Sequence, residues 1–474
     1  MNLILFLPEL ILILMILFFF VCSLFPKQHT KLDLIAVMFV IAAIGVTCFS
    51  FNLSGVLFSD FYRVDFFSQT FKLLILVAFL FVLLLSAGIK GIKKEIKAEY
   101  IMFLSISTFG LVCLTSAVEL VTLILCIEIS SFSLYIAIPF RSANASDRQH
   151  EAGLKYILFG ALSTGVTLFG MSYIFGLCHT TKLSGLFAVL PSVLDSSPAG
   201  VVGFILLLGG FFFKLALFPL HFWTPDIYEG SANETTAYIA TLPKIAGIAI
   251  IIRFMGISGV ESGDIIIILA VLSILSMTIG NLSALVQEDI KRLVAYSTIA
   301  HAGYIMIGVL SAGSQGFSAS IYYITGYVLM SIALFFVIYN LSEQGENLSV
   351  DSLNGLSKRS PFLAFTLAMA AFGMAGLPPT VGFTTKFMVF TSAIAKGYYF
   401  IVIIAVINAG ISAFYYLRLV RAAYTMGNGN ESSLKIGFFK GAFAVFVNIG
   451  IIFTGIYPEP LISKAVEAVK YIFS

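Results

Sequence analysis

The sequence predicts an all-α, polytopic integral membrane protein of about fourteen transmembrane helices, and three observations carry that reading. Of 474 residues, 59% are hydrophobic and 11% are charged, with a mean hydropathy of +1.03, whereas soluble domains average roughly 45–50% apolar and about 25% charged. The apolar residues gather in runs long enough for a hydrocarbon core of about 30 Å, which a helix crosses in about 20 residues. The basic residues sort by alternate loops. A net charge of +3, from 27 Lys and Arg against 24 Asp and Glu, is too small to imply a nucleic-acid partner. The bilayer is the partner that composition demands.

Runs bounded by charge or by Gly and Pro lie near 3–25, 33–51, 66–89, 100–116, 118–140, 153–178, 201–221, 234–256, 264–286, 293–311, 316–341, 361–395, 398–424 and 438–457. The first has no positive segment ahead of it and is too long for a cleavable signal, so it reads as a first span. The tight junction at 116–118 leaves open one long tilted helix. The run at 361–395 would be about 52 Å long at about 1.5 Å per residue, so it must break or tilt steeply. Beyond the last span, amphipathic 461–473 is suited to a neighbouring subunit or to the membrane surface.

Basic residues test the count. With the N-terminus outside, the inner loops hold Lys27, Lys31, Lys90, Lys93, Lys94, Lys97, Arg141, Arg148, Lys155, Lys291, Arg292, Lys358, Arg359, Arg418, Arg421, Lys435 and Lys440. The outer side keeps Arg63, Lys72, Lys182, Arg253, Lys396, Lys464 and Lys470. The excess of positive charge on one side supports an even number of spans with both termini outside. Lys214, Lys244 and Lys386 fit neither set, because they lie inside apolar runs.

Two runs carry breakers. Pro219 follows Lys214 and cannot donate to the carbonyl of Leu215, while Gly376, Pro378 and Pro379 precede Lys386. Interrupted helices in separate halves, in mirrored order, point to inverted repeats with functional groups at the midplane. Pro243, just before Lys244, reads as a further helix break.

Glu128, Lys214, Lys244 and Lys386 are the intramembrane charges. Each costs about 2.5–3.5 kcal/mol at a helix centre, together about 10–14 kcal/mol, so they must face a polar interior. Mere ion pairing does not account for them, since one carboxylate cannot neutralise three lysines; Glu119, nine residues before Glu128, falls on the opposite helix face. Burial destabilises an ammonium relative to its amine, which suits lysine to carrying protons. A carboxylate moving from 4 to 10 Å would change its attraction from roughly 4 to about 1.7 kcal/mol at an effective dielectric of about 20. Displacement of Glu128 relative to Lys214 would therefore load or release a proton. His301, about 18 Å into a helix starting near Asp289, together with Tyr296, Ser297 and Thr298, reads as a relay between lysines too far apart for direct transfer. His221, beside Pro219 and Trp223, reads as an interfacial anchor with a supporting role open to it.

Nothing in the sequence carries electrons. Cys22, Cys48, Cys113, Cys126 and Cys178 have no CxxC spacing and read as small buried hydrophobes. His29, His150, His179, His221 and His301 form no pair at helical spacing, so neither haem nor metal is expected in this chain.

Three segments together resemble the proton-conducting membrane subunits of respiratory complex I and the related Mrp-type cation/proton antiporters. They are Gln287 to Tyr304 (QEDIKRLVAYSTIAHAGY), Phe213-Lys214 with Pro219 to Gly230 (PLHFWTPDIYEG), and Gly376 to Phe387 (GLPPTVGFTTKF). The length and the lysine at 386 resemble the subunit without the lateral helix of the largest member or the glutamate of the middle one. One segment departs from the pattern: Gly230-Ser-Ala-Asn-Glu234-Thr-Thr replaces the family's more usual Ala-Pro-Thr run. The resemblance implies three N-terminal helices over 1–98, a five-helix repeat over 99–256, a second of inverted topology over 257–424, and a last helix with the amphipathic segment over 425–474. It implies broken seventh and twelfth helices, a Glu128–Lys214 ion pair, Lys244 as central lysine and Lys386 as terminal lysine.

The function so implied is proton translocation in an NADH:quinone oxidoreductase, with flavin, iron–sulfur clusters and quinone held by partner subunits of the complex and no cofactor in this chain. The expected location is the bacterial cytoplasmic membrane with periplasmic termini, or the mitochondrial inner membrane in an organelle. The alternatives are a subunit of an Mrp-type antiporter assembly and a purely structural membrane anchor.

Overall fold

The computed structural model describes residues 3–25, 31–86, 88–142, 148–257, 263–426, 433–434 and 436–472; Lys27, His29 and Lys435 lie outside them. In chain order the helices are α1 (Leu7–Ser23), α2 (Leu32–Phe49), α3 (Phe66–Leu85), α4 (Lys97–Ser116), α5 (Leu120–Ala137), α6 (Arg148–Cys178), α7 (Leu183–Ser196), α8 (Pro198–Leu207), α9 (Gly209–Leu215), α10 (Trp223–Gly230), α11 (Asn233–Ile257), α12 (Gly263–Leu285), α13 (Ile290–Leu310), α14 (Gly313–Leu341), α15 (Leu356–Arg359), α16 (Pro361–Ala375), α17 (Val381–Ala395), α18 (Tyr399–Tyr424), α19 (Phe438–Ile456) and α20 (Glu459–Lys470). Among the described residues, thirteen helical stretches are long and apolar enough to cross a membrane, with α8 and α9 counted as one stretch. Helices α16 and α17, 15 residues each, are too short singly. Taken together as one interrupted crossing, they bring the number to the expected fourteen.

Local chemistry sets the boundaries. Asp65 caps α3, its carboxylate accepting from the Ser68 amide at 2.7 Å while the Ser68 hydroxyl accepts from the Asp65 amide. Glu119 caps α5 through the Thr122 amide, and Asp289 caps α13 through that of Arg292. Prolines at the first turn open α8 and α16. The 116–118 junction is a sharp turn, so α4 and α5 are separate packed helices and Glu119 stands at a helix end rather than on a spanning face.

The chain is not wholly α-helical. A hairpin pairs β1 (Gly55–Leu57) with β2 (Tyr62–Val64), Gly55 opposite Val64. It lies in the α2–α3 connection, outside the spanning helices, where a two-stranded ladder need not satisfy its edges in lipid.

Helix α11 is at the centre, packed by α3, α4, α9, α13 and α14, with every residue of its most apolar window buried. Helices α1, α2, α6 and α19 turn most of their residues outward, and their exposed side chains include Leu14, Met38, Leu158 and Phe446, which suits lipid contact. Helix α20 folds back onto α14 and α3, burying Ala465, Ala468 and Val469, with Tyr471 stacked on Phe66 at 5.5 Å. Its apolar side is thus met by this chain, rather than left for a neighbouring subunit or the membrane surface.

Four basic residues assigned to loops are buried instead, among them Arg141, which donates to the Glu229 and Gly345 carbonyls. Lys72 pairs with Glu9 at 2.7 Å, and Glu9 also accepts from the Tyr62 hydroxyl at 2.6 Å. Arg253 straddles the Asp65 carboxylate at 3.2 and 3.3 Å. Lys291 donates to the Ser231 carbonyl at 2.7 Å. Loop-counting assumes that basic residues near span ends are solvated, but these find anionic or carbonyl partners inside.

Helices α16 and α17 approach so closely that a Cβ on Gly382 would overlap the Gly373 carbonyl oxygen. Gly382→Ala is therefore expected to cost about 1–3 kcal/mol or more by overpacking, read as a lower thermal midpoint of the purified protein in detergent.

Candidate functional site

The buried charges occupy two places built on one plan. In the first, α9 stops at Leu215, where Ala216 adopts a left-handed conformation with φ +61°. Pro219 has no N–H to return to the Leu215 carbonyl. Lys244 of α11 takes that carbonyl instead, its Nζ donating at 3.1 Å. The Trp223 ring lies 5.9 Å from the Lys244 ammonium, and its indole N–H donates to the Phe213 carbonyl at 3.1 Å. Helix α11 runs unbroken through Pro243, which corrects the expected break there. Surrounding helices enclose α11 on all sides, and such packing tolerates a proline within a membrane helix.

In the second place, α16 stops at Ala375 and Gly376 turns left-handed with φ +87°. Lys386 of α17 reaches back, donating to the Met374 and Ala375 carbonyls at 3.0 and 2.9 Å, with the Tyr304 ring 5.0 Å away. A side chain at Gly376 would come within 2.9 Å of the Lys386 Cδ. Glycine therefore both ends the helix and leaves room for the lysine. Pro378 and Pro379 lie between α16 and α17, where no helical amide is required of them.

Both lysines thus sit at helix C-termini inside the bundle, where unsatisfied carbonyls concentrate partial negative charge. This arrangement answers the shortage of carboxylates: carbonyl dipoles, not acids, receive Lys244 and Lys386.

Lys214 differs. It is 2% exposed, its Nζ has no hydrogen-bond partner among the described residues, and the Tyr156 ring lies 6.0 Å away. Glu128 on α5 is half-buried and accepts from the Thr164 hydroxyl of α6 at 2.5 Å. Its charge acts on Lys214, but no hydrogen bond joins them, the Lys214 Nζ being unpartnered among the described residues. The expected pair is not hydrogen-bonded in this conformation; the carboxylate is bonded by Thr164 instead.

His301 on α13 sits in a cage of tyrosines. Nδ1 meets the Tyr323 hydroxyl at 2.8 Å and Nε2 the Tyr416 hydroxyl at 3.1 Å. Tyr416 also bonds Ser297 at 2.5 Å, and Thr298 bonds Tyr327 at 2.9 Å. The charge of Lys386 reaches the imidazole. A second chain runs from the Tyr304 hydroxyl through the Asn281 amide to the Tyr415 hydroxyl, at 3.3 and 3.0 Å. Tyr296 takes no part in these bonds; it is half-buried on a different face of α13.

Tyr323, Tyr327, Tyr415, Tyr416 and Asn281 went unnoticed in the sequence. The signal available was the i, i+4 spacing of Tyr323 and Tyr327, which in an apolar helix also fits simple packing. His221 is buried between the Phe218 and Phe222 rings, with centroids at 5.5 and 4.3 Å, and Trp223 is 1% exposed. Neither is an interfacial anchor, since both side chains are buried, while Phe222 between them is exposed.

At the loop end rich in basic residues, the Trp223-to-Gly230 motif supplies Asp226 and Glu229 to a cleft of about 420 Å³ with Arg148, Glu151 and Arg292. Arg292 bridges Asp226 and Glu229 at 2.8 Å each, Lys155 meets Asp226 at 2.6 Å, and Arg148 pairs with Glu229. Burial opposes the Asp226 carboxylate, but hydrogen bonds from Lys155 and Arg292 outweigh it and hold its pKa below the ordinary value.

A profile of the transmembrane family described as NADH:quinone oxidoreductase/Mrp antiporter matches residues 117–412. The chain is 44% identical to NADH-quinone oxidoreductase subunit N 2 of Solidesulfovibrio magneticus, over 98% of this chain and 97% of that protein. It is 41% identical to the protein of the same name from Opitutus terrae, over 96% and 95%. Among solved structures, a chain of respiratory complex I from Thermus thermophilus superposes with a TM-score of 0.82 at 27% identity, covering 96% of this chain and 98% of that one. A chain of the Mrp complex from Dietzia sp. shares the fold, with a TM-score of 0.86 at 18% identity over 100% and 98%. On this similarity along nearly its whole length, the chain belongs to the NADH:quinone oxidoreductase/Mrp antiporter transmembrane family, among its subunit N members.

Proposed function

We propose that this chain is a proton-translocating membrane subunit of an NADH:quinone oxidoreductase. Electron transfer through flavin, iron–sulfur clusters and quinone takes place in other subunits, and this chain moves protons along Glu128, Lys214, Lys244, His301 and Lys386. The observation that carries the reading is the placement of Lys244 and Lys386 on the carbonyl ends of interrupted helices. An ammonium there is welcomed by the helix dipole, and its proton has polar neighbours to go to. Glu128, bonded by Thr164 and not hydrogen-bonded to Lys214, supplies a movable countercharge. His301, bonded through both ring nitrogens, links the hydroxyls of Tyr323, Tyr416 and Ser297, and the Tyr304 ring lies beside both His301 and Lys386.

In this reading, residues 99–256 and 257–424 act as two inverted units, each with an interrupted helix and a lysine at the gap. The chain spans the bacterial cytoplasmic membrane many times with both termini periplasmic, beside the other membrane-arm subunits. The relatives named above, oxidoreductase subunits at 41–44% identity, favour this over an Mrp-type antiporter subunit, which shares the fold at 18% identity.

Two measurements test the proposal. The chain should co-purify with flavin and iron–sulfur subunits; isolation within a cation-antiporter assembly lacking them would overturn it. In the assembled complex, Glu128→Ala and Lys214→Ala should each reduce NADH-driven proton pumping several-fold. Unchanged pumping in both would leave the chain a structural anchor.

A further inference from the structure

Glu234, in the segment that departs from the family's pattern, is wholly buried at the start of α11. Its Oε1 accepts from the backbone amides of Lys90 and Gly91 at 2.8 and 3.1 Å. Its Oε2 has no hydrogen-bond partner among the described residues. A carboxylate kept only to hold the 90–91 turn would need one oxygen; the second is buried without a partner, which is unfavourable for a charged group.

Several charged and titratable groups face this carboxylate. Lys90 precedes α4, Arg141 follows α5, Lys291 begins α13 and Lys440 begins α19; Tyr100 and Tyr339 bring phenols from α4 and α14. The cations are otherwise engaged: Lys90 donates to the Tyr339 and Ser342 carbonyls, Arg141 to the Glu229 and Gly345 carbonyls, and Lys291 to that of Ser231, while Lys440 lies over the Tyr339 ring at 4.9 Å. They surround Glu234 with positive potential without sealing it in an ion pair. Lys90 is half-buried and Glu346 is exposed, so the loop surface is one layer away.

From Glu234 buried hydroxyls follow along α11, first facing α4 and then winding about half a turn round the helix toward Lys244 on the α9 side. Thr235 bonds the Tyr100 hydroxyl at 3.2 Å, Tyr238 bonds Thr108 at 2.9 Å, and Thr241 follows one turn later on α11. Three residues further stands Lys244, about 15 Å along the helix from Glu234 at about 1.5 Å per residue. The steps are about one helical turn each, a span that a bridging water closes.

We propose that Glu234 is the proton acceptor on the basic, inner side of the protein, feeding Lys244 through the hydroxyls of Tyr100, Thr235, Tyr238, Thr108 and Thr241. The carboxylate takes a proton from inner water, a proton leaves along the row to the Lys244 amine, and the carboxylate is restored. The inference rests on Lys244 being a proton carrier.

Glu234→Gln separates this role from a structural one, because glutamine keeps the carbonyl oxygen that accepts from Lys90 and Gly91 but cannot take up a proton. In membrane vesicles holding the complete complex, NADH-driven pumping should fall several-fold in Glu234→Gln, with the amount of assembled complex unchanged. Lys244→Met in parallel keeps the two readings apart. If Lys244→Met loses pumping while Glu234→Gln pumps as the unaltered protein does, the intake role of Glu234 is overturned and the proposed function stands. If both pump normally, Lys244 is no carrier and the inference falls with it. Should Glu234→Gln fail to assemble, Tyr100→Phe removes the first hydroxyl and leaves the turn intact: several-fold loss supports the row, and normal pumping overturns it.

Discussion

Lys386→Met is expected to abolish most NADH-driven proton pumping while the complex still assembles. Methionine fills nearly the same volume and removes the desolvation cost of the buried ammonium, so the fold should tolerate it. The Met374 and Ala375 carbonyls lose their donor, and His301 loses the charge that acts on it. A proton-transfer partner deleted from a relay slows its step on the order of 10²-fold or more. Lys386→Arg sharpens the test. Arginine keeps the positive charge and can bond the same carbonyls, but it does not deprotonate in proteins. Pumping should therefore fail in the arginine variant too. Near-normal pumping with arginine at 386 would make the residue a fixed countercharge for the end of α16.

The largest effect on stability is expected at the Asp65–Arg253 pair. Asp65 caps α3, binds Arg253 of α11 through both oxygens, and ties in α4 because Arg253 also donates to the Thr115 carbonyl at 3.3 Å. The Phe67 ring covers the guanidinium at 4.9 Å. Arg253→Met should cost up to about 3–5 kcal/mol, since it leaves the buried carboxylate with only the part-exposed Arg63 as a cation, at 3.4 Å. Asp65→Asn together with Arg253→Met should recover part of that loss, because asparagine removes the charge and still caps the helix. Thermal unfolding of the purified protein in detergent measures both. A double variant no more stable than Arg253→Met alone would show that the guanidinium's packing, not the charge pair, joins these helices.

The crossings were legible because a span needs only about 20 apolar residues in a row, a local property of the chain. The interruption before Lys386 was legible for a similar reason: Gly376 and two prolines, with a run too long for the bilayer, leave few alternatives to a break. Pro243 shows the limit of this reasoning. A proline weakens a helix locally, but whether the helix stops depends on its neighbours, and around α11 every side is occupied.

Among the site residues, the titratable groups stood out because charge in an apolar run is rare. Their partners did not stand out. Leu215, Met374 and Ala375 contribute only backbone carbonyls, which no side-chain pattern reveals. Tyr323 and Tyr416 lie 93 residues apart on α14 and α18, and their shared imidazole becomes visible only when the helices pack. Lys72, Arg253 and Lys291 were misplaced in loops for the complementary reason: their partners Glu9, Asp65 and the Ser231 carbonyl are distant in sequence.

Hydropathy and chain punctuation, read from the sequence alone, determined that this protein crosses the membrane, that helices stop near Pro219 and at Gly376, and that Lys214, Lys244 and Lys386 are buried. These follow from transfer free energies and backbone constraints that each segment carries by itself. Tertiary packing alone decided what receives those lysines, what cages His301, and that Glu234 is buried with one oxygen unpartnered. Each of these depends on groups brought together from separate helices, and a carbonyl becomes a lysine's partner only when the end of one helix meets the side of another.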